Sequence, residues 1–281
     1  MIEEARETGV TYLDLSGKNL IELPDELFGL VKLTKLDLSF NRLTELSPNI
    51  VYLINLKEID LVGNQLTKLP SQVFQLINLI RLDLGGNRLI EVPPDIVRLS
   101  KLVRLYLTGN QLPELPSQIF QVTKLTNLGL GNLQLTSVPQ ALFQLTNLTH
   151  LYLGHNRLVE LSPKIGQLTD LITLHLSDNQ LTALPQEVCQ LVKLNHIDLT
   201  GNRLTNLPSQ IVHLTHLKWL DLIDNPLTSP PYELAVQGIE AIREYFTSAE
   251  EGTRTVAEVK VILVGEGASG KTSLTRCLRE E

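Results

Sequence analysis

Gly265-Glu266-Gly267-Ala268-Ser269-Gly270-Lys271-Thr272 is the segment of this sequence with the most explicit chemistry. Its spacing, G-x-x-x-x-G-K-[ST], is that of a loop built to hold nucleotide phosphates. Gly265, Gly267 and Gly270 let backbone N–H groups close round a phosphate with no side chain in the way, and a helix N-terminus adds positive potential. Ser269 and Ser273 line the same loop. Lys271 reaches the terminal phosphates, and the Thr272 hydroxyl is suited to Mg²⁺. A second set of chemistry-bearing side chains is dispersed along the chain: Tyr106, His150, Tyr152, His155, His175, His196 and Trp219.

Each set needs elements to position it. The loop follows Val259-Lys260-Val261-Ile262-Leu263-Val264, a β-branched run of the kind found in buried parallel strands. It precedes Ser273-Leu274-Thr275-Arg276-Cys277-Leu278, which reads as a helix, with Cys277 as a packing residue. The dispersed set lies on a repeat. Leu33-x-x-Leu36-x-Leu38-x-x-Asn41-x-Leu43-x-x-Leu46 recurs every 23 residues without insertion, ten units from about Val10 to Ile239. Leucine accounts for 59 of the 281 residues, a bias that an ordinary core does not need and a repeat does.

The repeat implies its own architecture. Leu-x-Leu alternation makes a short strand with both leucines on one face, and stacking the units in parallel completes core and backbone pairing together. The second half of each unit, such as Pro70-Ser71-Gln72-Val73-Phe74-Gln75-Leu76, reads as one or two helical turns with Pro near the start. The expected fold is an α/β solenoid with a parallel concave sheet and short convex helices. Asn41 and its counterparts at 64, 87, 110, 156, 179, 202 and 225 are expected to bond the turn backbone. Lys18 and Leu133 interrupt that column. The register holds on both sides of Leu133, so the sheet should continue through the sixth unit, though Gly129 and Gly131 leave its strand nearly bare and its stability should dip there. Cys189 falls in the Phe28, Phe74, Phe120 and Phe143 column and reads as a core residue.

Strand residues between the leucines face outward. One column runs Tyr12, Lys35, Glu58, Arg81, Arg104, Asn127, His150, Thr173, His196, Trp219; the next runs Asp14, Asp37, Asp60, Asp83, Tyr106, Gly129, Tyr152, His175, Asp198, Asp221. The N-terminal half is thus a mixed-charge ribbon. The C-terminal half collects large rings in a chain that is only 5% aromatic. Tyr106, His150, Tyr152, His175, His196 and Trp219 are therefore the expected anchors for a protein partner, with binding that changes as the imidazoles titrate. Zinc held by His150, His175 and His196 is disfavoured, because strands about 4.8 Å apart put His150 and His196 about 10 Å apart.

Expected boundaries are an N-terminal cap over 1–9, repeats over 10–231, a capping helix over 232–247, a polar linker over 248–257, and the strand, loop and helix over 258–281. A net charge of −7 argues against a nucleic-acid module. No apolar run approaches the length of a membrane span. The acidic start, Met1-Ile-Glu-Glu-Ala-Arg-Glu, does not read as a signal peptide, and two cysteines make no disulfide framework. A cytoplasmic protein is expected.

The repeats resemble the leucine-rich-repeat family over more than four fifths of the chain. Repeats of the Leu-Pro-x-x-Ile type, a short helix, and a loop ending Gly270-Lys271-Thr272-Ser273-Leu274 together resemble the Roco family. That family carries leucine-rich repeats, then a Ras-like GTPase domain (Roc), then a dimerising COR domain. The resemblance implies a parent that binds GTP and GDP with Mg²⁺, hydrolyses GTP and is dimeric. The repeats would then serve as an arm for a protein partner or for the parent's own Roc–COR portion. Asn-Lys-x-Asp and the switch regions are absent from this sequence, so the chain reads as carrying only the start of the nucleotide domain. By itself it is expected to be no enzyme and to hold no nucleotide. Two rivals stand beside this reading: a stand-alone binding scaffold, and the arm of a P-loop ATPase switch.

Overall fold

The computed structural model describes residues 2–250. The chain divides into two units, 1–246 and 247–281, and the solenoid belongs to the first. The rest of the expected linker past residue 250, and the strand, phosphate loop and helix expected over 258–281, lie outside the described residues.

Ten three-residue strands form one parallel sheet in chain order. They are β1 Tyr12–Asp14, β2 Lys35–Asp37, β3 Glu58–Asp60, β4 Arg81–Asp83, β5 Arg104–Tyr106, β6 Asn127–Gly129, β7 His150–Tyr152, β8 Thr173–His175, β9 His196–Asp198 and β10 Trp219–Asp221. Pairing keeps the 23-residue offset throughout, for example Leu36 with Ile59 and Leu128 with Leu151. The sixth unit is no exception, as its unbroken register predicts. Between strands, each second half forms a five-residue 3₁₀ helix, from Asp25–Gly29 to Ser209–His213. Five residues are too few for a stable α-helix. Proline stands at or next to the start of each one, and the closing N–H reaches three residues back, as from Leu53 to Ile50.

The leucines of both halves meet between sheet and helices. Leu36, Leu38, Ile59, Leu61 and their counterparts are fully buried. Phe74 and Phe143 are the largest side chains sealed in that core, and Cys189 is buried as expected. Its thiol is pushed up to about 11 by burial and by Glu187, so it stays protonated and inert.

The asparagine column does what backbone accounting requires. Asn64 Nδ2 donates to the Leu38 carbonyl at 2.9 Å and to the Leu61 carbonyl at 3.1 Å, while its Oδ1 accepts the Leu43 N–H at 3.0 Å. One buried amide thus joins two adjacent units. The residue before each ladder position has positive φ: Gly in five units, and Phe40, Asn132, His155, Asp178 and Asp224 in the others. Where the ladder Asn is missing, the next residue adopts positive φ as well, at Asn19 after Lys18 and at Gln134 after Leu133.

Helix α1, Ile2–Thr8, caps the first unit with Ala5 buried and ends at Gly9. The expected single capping helix over 232–247 is instead two helices, α2 Tyr232–Ala235 and α3 Ile239–Glu250. Gly238, at φ 108°, breaks them apart. The start of the expected linker, residues 248–250, also belongs to α3. Ala235, Ile239, Ile242 and Phe246 still close the core, and Arg243 Nη2 donates to the Leu214 carbonyl at 2.7 Å. Among the described residues, no helix is long and apolar enough to cross a membrane.

Candidate interaction face

The period-2 alternation that buries Leu105, Leu128 and Leu151 turns Tyr106, Gly129 and Tyr152 to the concave side. All six ring-bearing residues expected there are brought together. Tyr152 is the hub: its ring lies 6.3 Å from Tyr106, 6.4 Å from His150 and 5.0 Å from His175, the last pair stacked at 21°. The run continues from His175 to His196 at 4.8 Å, edge to face, and from His196 to Trp219 at 6.2 Å. A continuous track of rings therefore crosses the sheet from β5 to β10. The expectation of a nearly bare sixth strand does not hold at this face. The Tyr106 ring lies across Gly129, and Thr108 stands against both Gly129 and Gly131.

The carboxylates beside the track have roles that column reading alone did not show. Asp178 pairs with His155 at 3.2 Å, Asp198 with His175 at 3.5 Å, and Asp221 with His196 at 3.1 Å. In addition, Asp14, Asp37, Asp60, Asp83 and Asp198 each accept the backbone N–H two residues on, bracing the turn after the strand. The cue in the sequence was the Asp-Leu-Ser and Asp-Leu-Thr pattern, which holds an Asx-turn signature at fixed register.

Local surroundings tune the titratable groups. Burial, His175 and Arg104 hold His150 below the ordinary imidazole range, and its Nδ1 lies 2.8 Å from the Thr149 hydroxyl. Burial, then the nearby Tyr106, raise the Tyr152 phenol. Burial would raise Asp198, but the Thr200 N–H and hydroxyl, Ser177 and His175 outweigh it and leave that carboxyl below its usual range. On the ribbon, Asp60 moves up: its burial outweighs the Val62 N–H, with Asp83 and Asp37 adding to the rise against Arg81.

Arg81 binds Asp83 at 2.9 Å and Asp60 at 3.4 Å, and its guanidinium lies over Tyr106 at 5.7 Å. Its Nε is buried with no hydrogen-bond partner among the described residues. A 210 Å³ hollow over β2–β4 is lined by Lys35, Asp37, Glu58, Asp60 and Arg81. That lining is charged, unlike the largely apolar pockets that enclose small molecules. No group of three or more His, Cys, Asp or Glu among the described residues is arranged to hold a metal ion. Gly265, Gly267, Ser269, Gly270, Lys271, Thr272 and Ser273 lie outside the described residues.

Residues 54–112, 123–167 and 169–227 match the family described as leucine rich repeat, and 31–72 match its two-copy form. The chain belongs to the leucine-rich-repeat family. Over 83% of its length this leucine-rich-repeat chain is 39% identical to a leucine-rich-repeat protein of Leptospira interrogans, with a TM-score of 0.75, and it covers 58% of that chain. An internalin of Listeria monocytogenes shares the fold at 24% identity, with a TM-score of 0.69, over 81% of this chain and 64% of its own. The plant peptide hormone receptor RGFR1, solved in complex with RGF2, is 29% identical over 77% of this leucine-rich-repeat chain and 36% of its own, with a TM-score of 0.64. The chain thus spans less than two thirds of the length of these structures. No match is found among curated proteins.

Proposed function

We propose that this solenoid is a protein-interaction arm whose partner docks on the concave side of the C-terminal units, on Tyr106, His150, Tyr152, His175, His196 and Trp219. The continuous ring track carries this reading. Core packing has no use for six rings on a solvent-facing sheet, whereas aromatic anchors tolerate desolvation and lose few rotamers on binding. The likeness to the peptide hormone receptor RGFR1, solved in complex with RGF2, supports an interaction role for the solenoid. The test is a partner captured by the chain and then measured by calorimetry. Replacing Tyr152 and Trp219 with Ala should cost about 2 kcal/mol or more. Asp37→Ala and Arg81→Ala, on the ribbon, should cost less. The reverse ranking would put the site on the wrong half.

The loop Gly265–Thr272 favours a further step in this reading: the arm serves a Roco-type GTPase in the cytoplasm. That parent would bind GTP and GDP with Mg²⁺ at Thr272, act as a dimer, and offer its own Roc–COR portion as one occupant of the concave face. The loop's spacing supports nucleotide binding, and the scarcity of cysteine supports a reducing compartment. Lacking a base-reading motif, residues 1–281 should bind GTP too weakly for calorimetry. A protein extended through Asn-Lys-x-Asp should bind it and lose it on Lys271→Ala. Micromolar GTP binding by residues 1–281 would overturn this account of the loop.

A further inference from the structure

Rings on this face already hold cations. Lys35 Nζ lies 5.1 Å from the Tyr12 ring centroid, Arg81 Cζ 5.7 Å from Tyr106, and Lys218 Nζ 6.0 Å from Trp219. Tyr152, at the hub of the track, has imidazole neighbours instead. The charge around the C-terminal part of the track is one-sided. On the outward columns of β7–β10 and the turn residues that follow stand Asp178, Asp198, Asp221 and Asp224 with no Lys or Arg, and Lys218 immediately precedes β10. Arg157 and Arg203 stand further along, past the ladder asparagines. Asp178 and Asp221 are 53% and 50% exposed, so much of each carboxylate remains open to a ligand despite its imidazole contact.

Taking the concave track as the partner surface, we propose that it receives an extended basic segment of a protein, with one Lys or Arg beside the half-exposed rim of the Tyr152 ring and another beside Trp219 and Asp221. The spacing suits such a ligand. Tyr152 and Trp219 lie three strand intervals apart across the sheet and two residues apart along it, about 16 Å in all, and residues i and i+4 of an extended chain, about 13–14 Å apart, reach both with long Lys or Arg side chains. A segment running across the strands can therefore present alternate side chains to both rings. An acidic segment meets the four carboxylates. A neutral apolar one strips water from Asp178 and Asp221 without replacing it, which costs free energy. A Lys or Arg pairs with the open carboxylates and is also tolerated by the rings.

The chain supplies its own reporter, because Trp219 is its one tryptophan and is 55% exposed. The probe is the peptide acetyl-Ser-Arg-Ser-Phe-Ser-Arg-Ser-amide, titrated against the full chain at low salt and followed by Trp219 emission, beside twins with Gln or Glu in place of Arg. The Arg peptide should bind about tenfold or more tighter than the Gln twin, and the Glu twin should not bind. Asp178→Asn with Asp221→Asn should erase the preference. A Gln twin that binds as tightly as the Arg peptide, through the same rings, overturns the basic class and leaves the concave face standing. Failure of the Arg peptide to bind at millimolar concentration also overturns the basic class, while the ring-mutant ranking with a captured partner still decides the face. Unchanged calorimetric binding to the protein with Tyr152→Ala and Trp219→Ala defeats both.

Discussion

The rings of Tyr106 and Tyr152 lie 6.3 Å apart although a whole strand, β6, runs between theirs. Side chains two strands apart would ordinarily stand about 10 Å from each other. Gly129, in register with both tyrosines, is what closes the gap. A Cβ at that position would lie 2.7 Å from Tyr106 Cδ1 and 3.1 Å from the Thr108 hydroxyl. Gly129→Ala should therefore push the Tyr106 ring aside and interrupt the track, at an overpacking cost of about 1–2 kcal/mol. Partner affinity should fall while strand pairing persists. Circular dichroism with a binding titration separates the two effects, and an alanine variant that binds normally would show that ring continuity does not matter.

The asparagine column yields a ranking. Asn156 Oδ1 accepts two backbone N–H groups, from Leu133 and Leu135, both at 3.0 Å, where Asn179 Oδ1 accepts one, from Leu158. Leu133 stands where most units carry the ladder Asn, and its amide supplies the extra bond. Each orphaned buried group costs about 1–3 kcal/mol. Asn156→Ala should thus lower the urea midpoint more than Asn179→Ala. The Leu112 amide, whose acceptor would have been the missing ladder side chain, should exchange faster than the Leu89 amide, which donates to Asn110 at 2.9 Å. Equal exchange at the two amides would contradict this.

Two aspartates on the same face should respond to pH with opposite signs. Asp198 has a folded-state value below its unfolded one. It therefore stabilises the protein at neutral pH, and that contribution disappears as pH falls through the carboxylate range. Asp60 is raised on folding, chiefly by burial, so its charged form is the disfavoured one and protonation relieves the fold as pH falls. At neutral pH, Asp198→Asn should lower the melting temperature and flatten its acid fall. Asp60→Asn, which keeps an acceptor for the Val62 N–H at 3.1 Å, should leave it unchanged or raise it. Melting curves from pH 3 to 7 decide, and destabilisation by both at neutral pH would mean that hydrogen bonding at Asp60 outweighs its desolvation.

Most of the fold was legible because a 23-residue repeat states each contact ten times over. Leu36 with Ile59 and Asn64 with Leu38 follow from register alone. The outward columns likewise named the six residues of the ring track. Periodicity could not convey what depends on single residues across strands. That Gly129 lets two tyrosines meet, and that His155, His175 and His196 each find an aspartate one unit on, needs side-chain directions as well as register. Gly238 was a visible helix breaker, but the apolar spacing of Ala235, Ile239 and Ile242 ran across it.

The column of positive φ also marks Phe40 as an anomaly. Five of its ten members are glycine, and the others at later units are Asn, His or Asp, residues that tolerate this conformation. Phe40 adopts φ 55° with 68% of its surface exposed, so no buried packing offsets the strain. A left-handed conformation costs a residue with a Cβ about 1–2 kcal/mol. Its ring does lie over Gly63, where an added Cβ would come within 2.8 Å of Phe40 Cδ1. That contact is solvent-facing and small beside the backbone term. Phe40→Gly should accordingly raise stability by about 1 kcal/mol, and Gly63→Ala, which meets both the ring and its own positive φ, should lower it by at least as much. Chemical denaturation of the two variants measures both. Destabilisation by Phe40→Gly would reveal that the exposed ring contributes more to the second and third units than its geometry indicates.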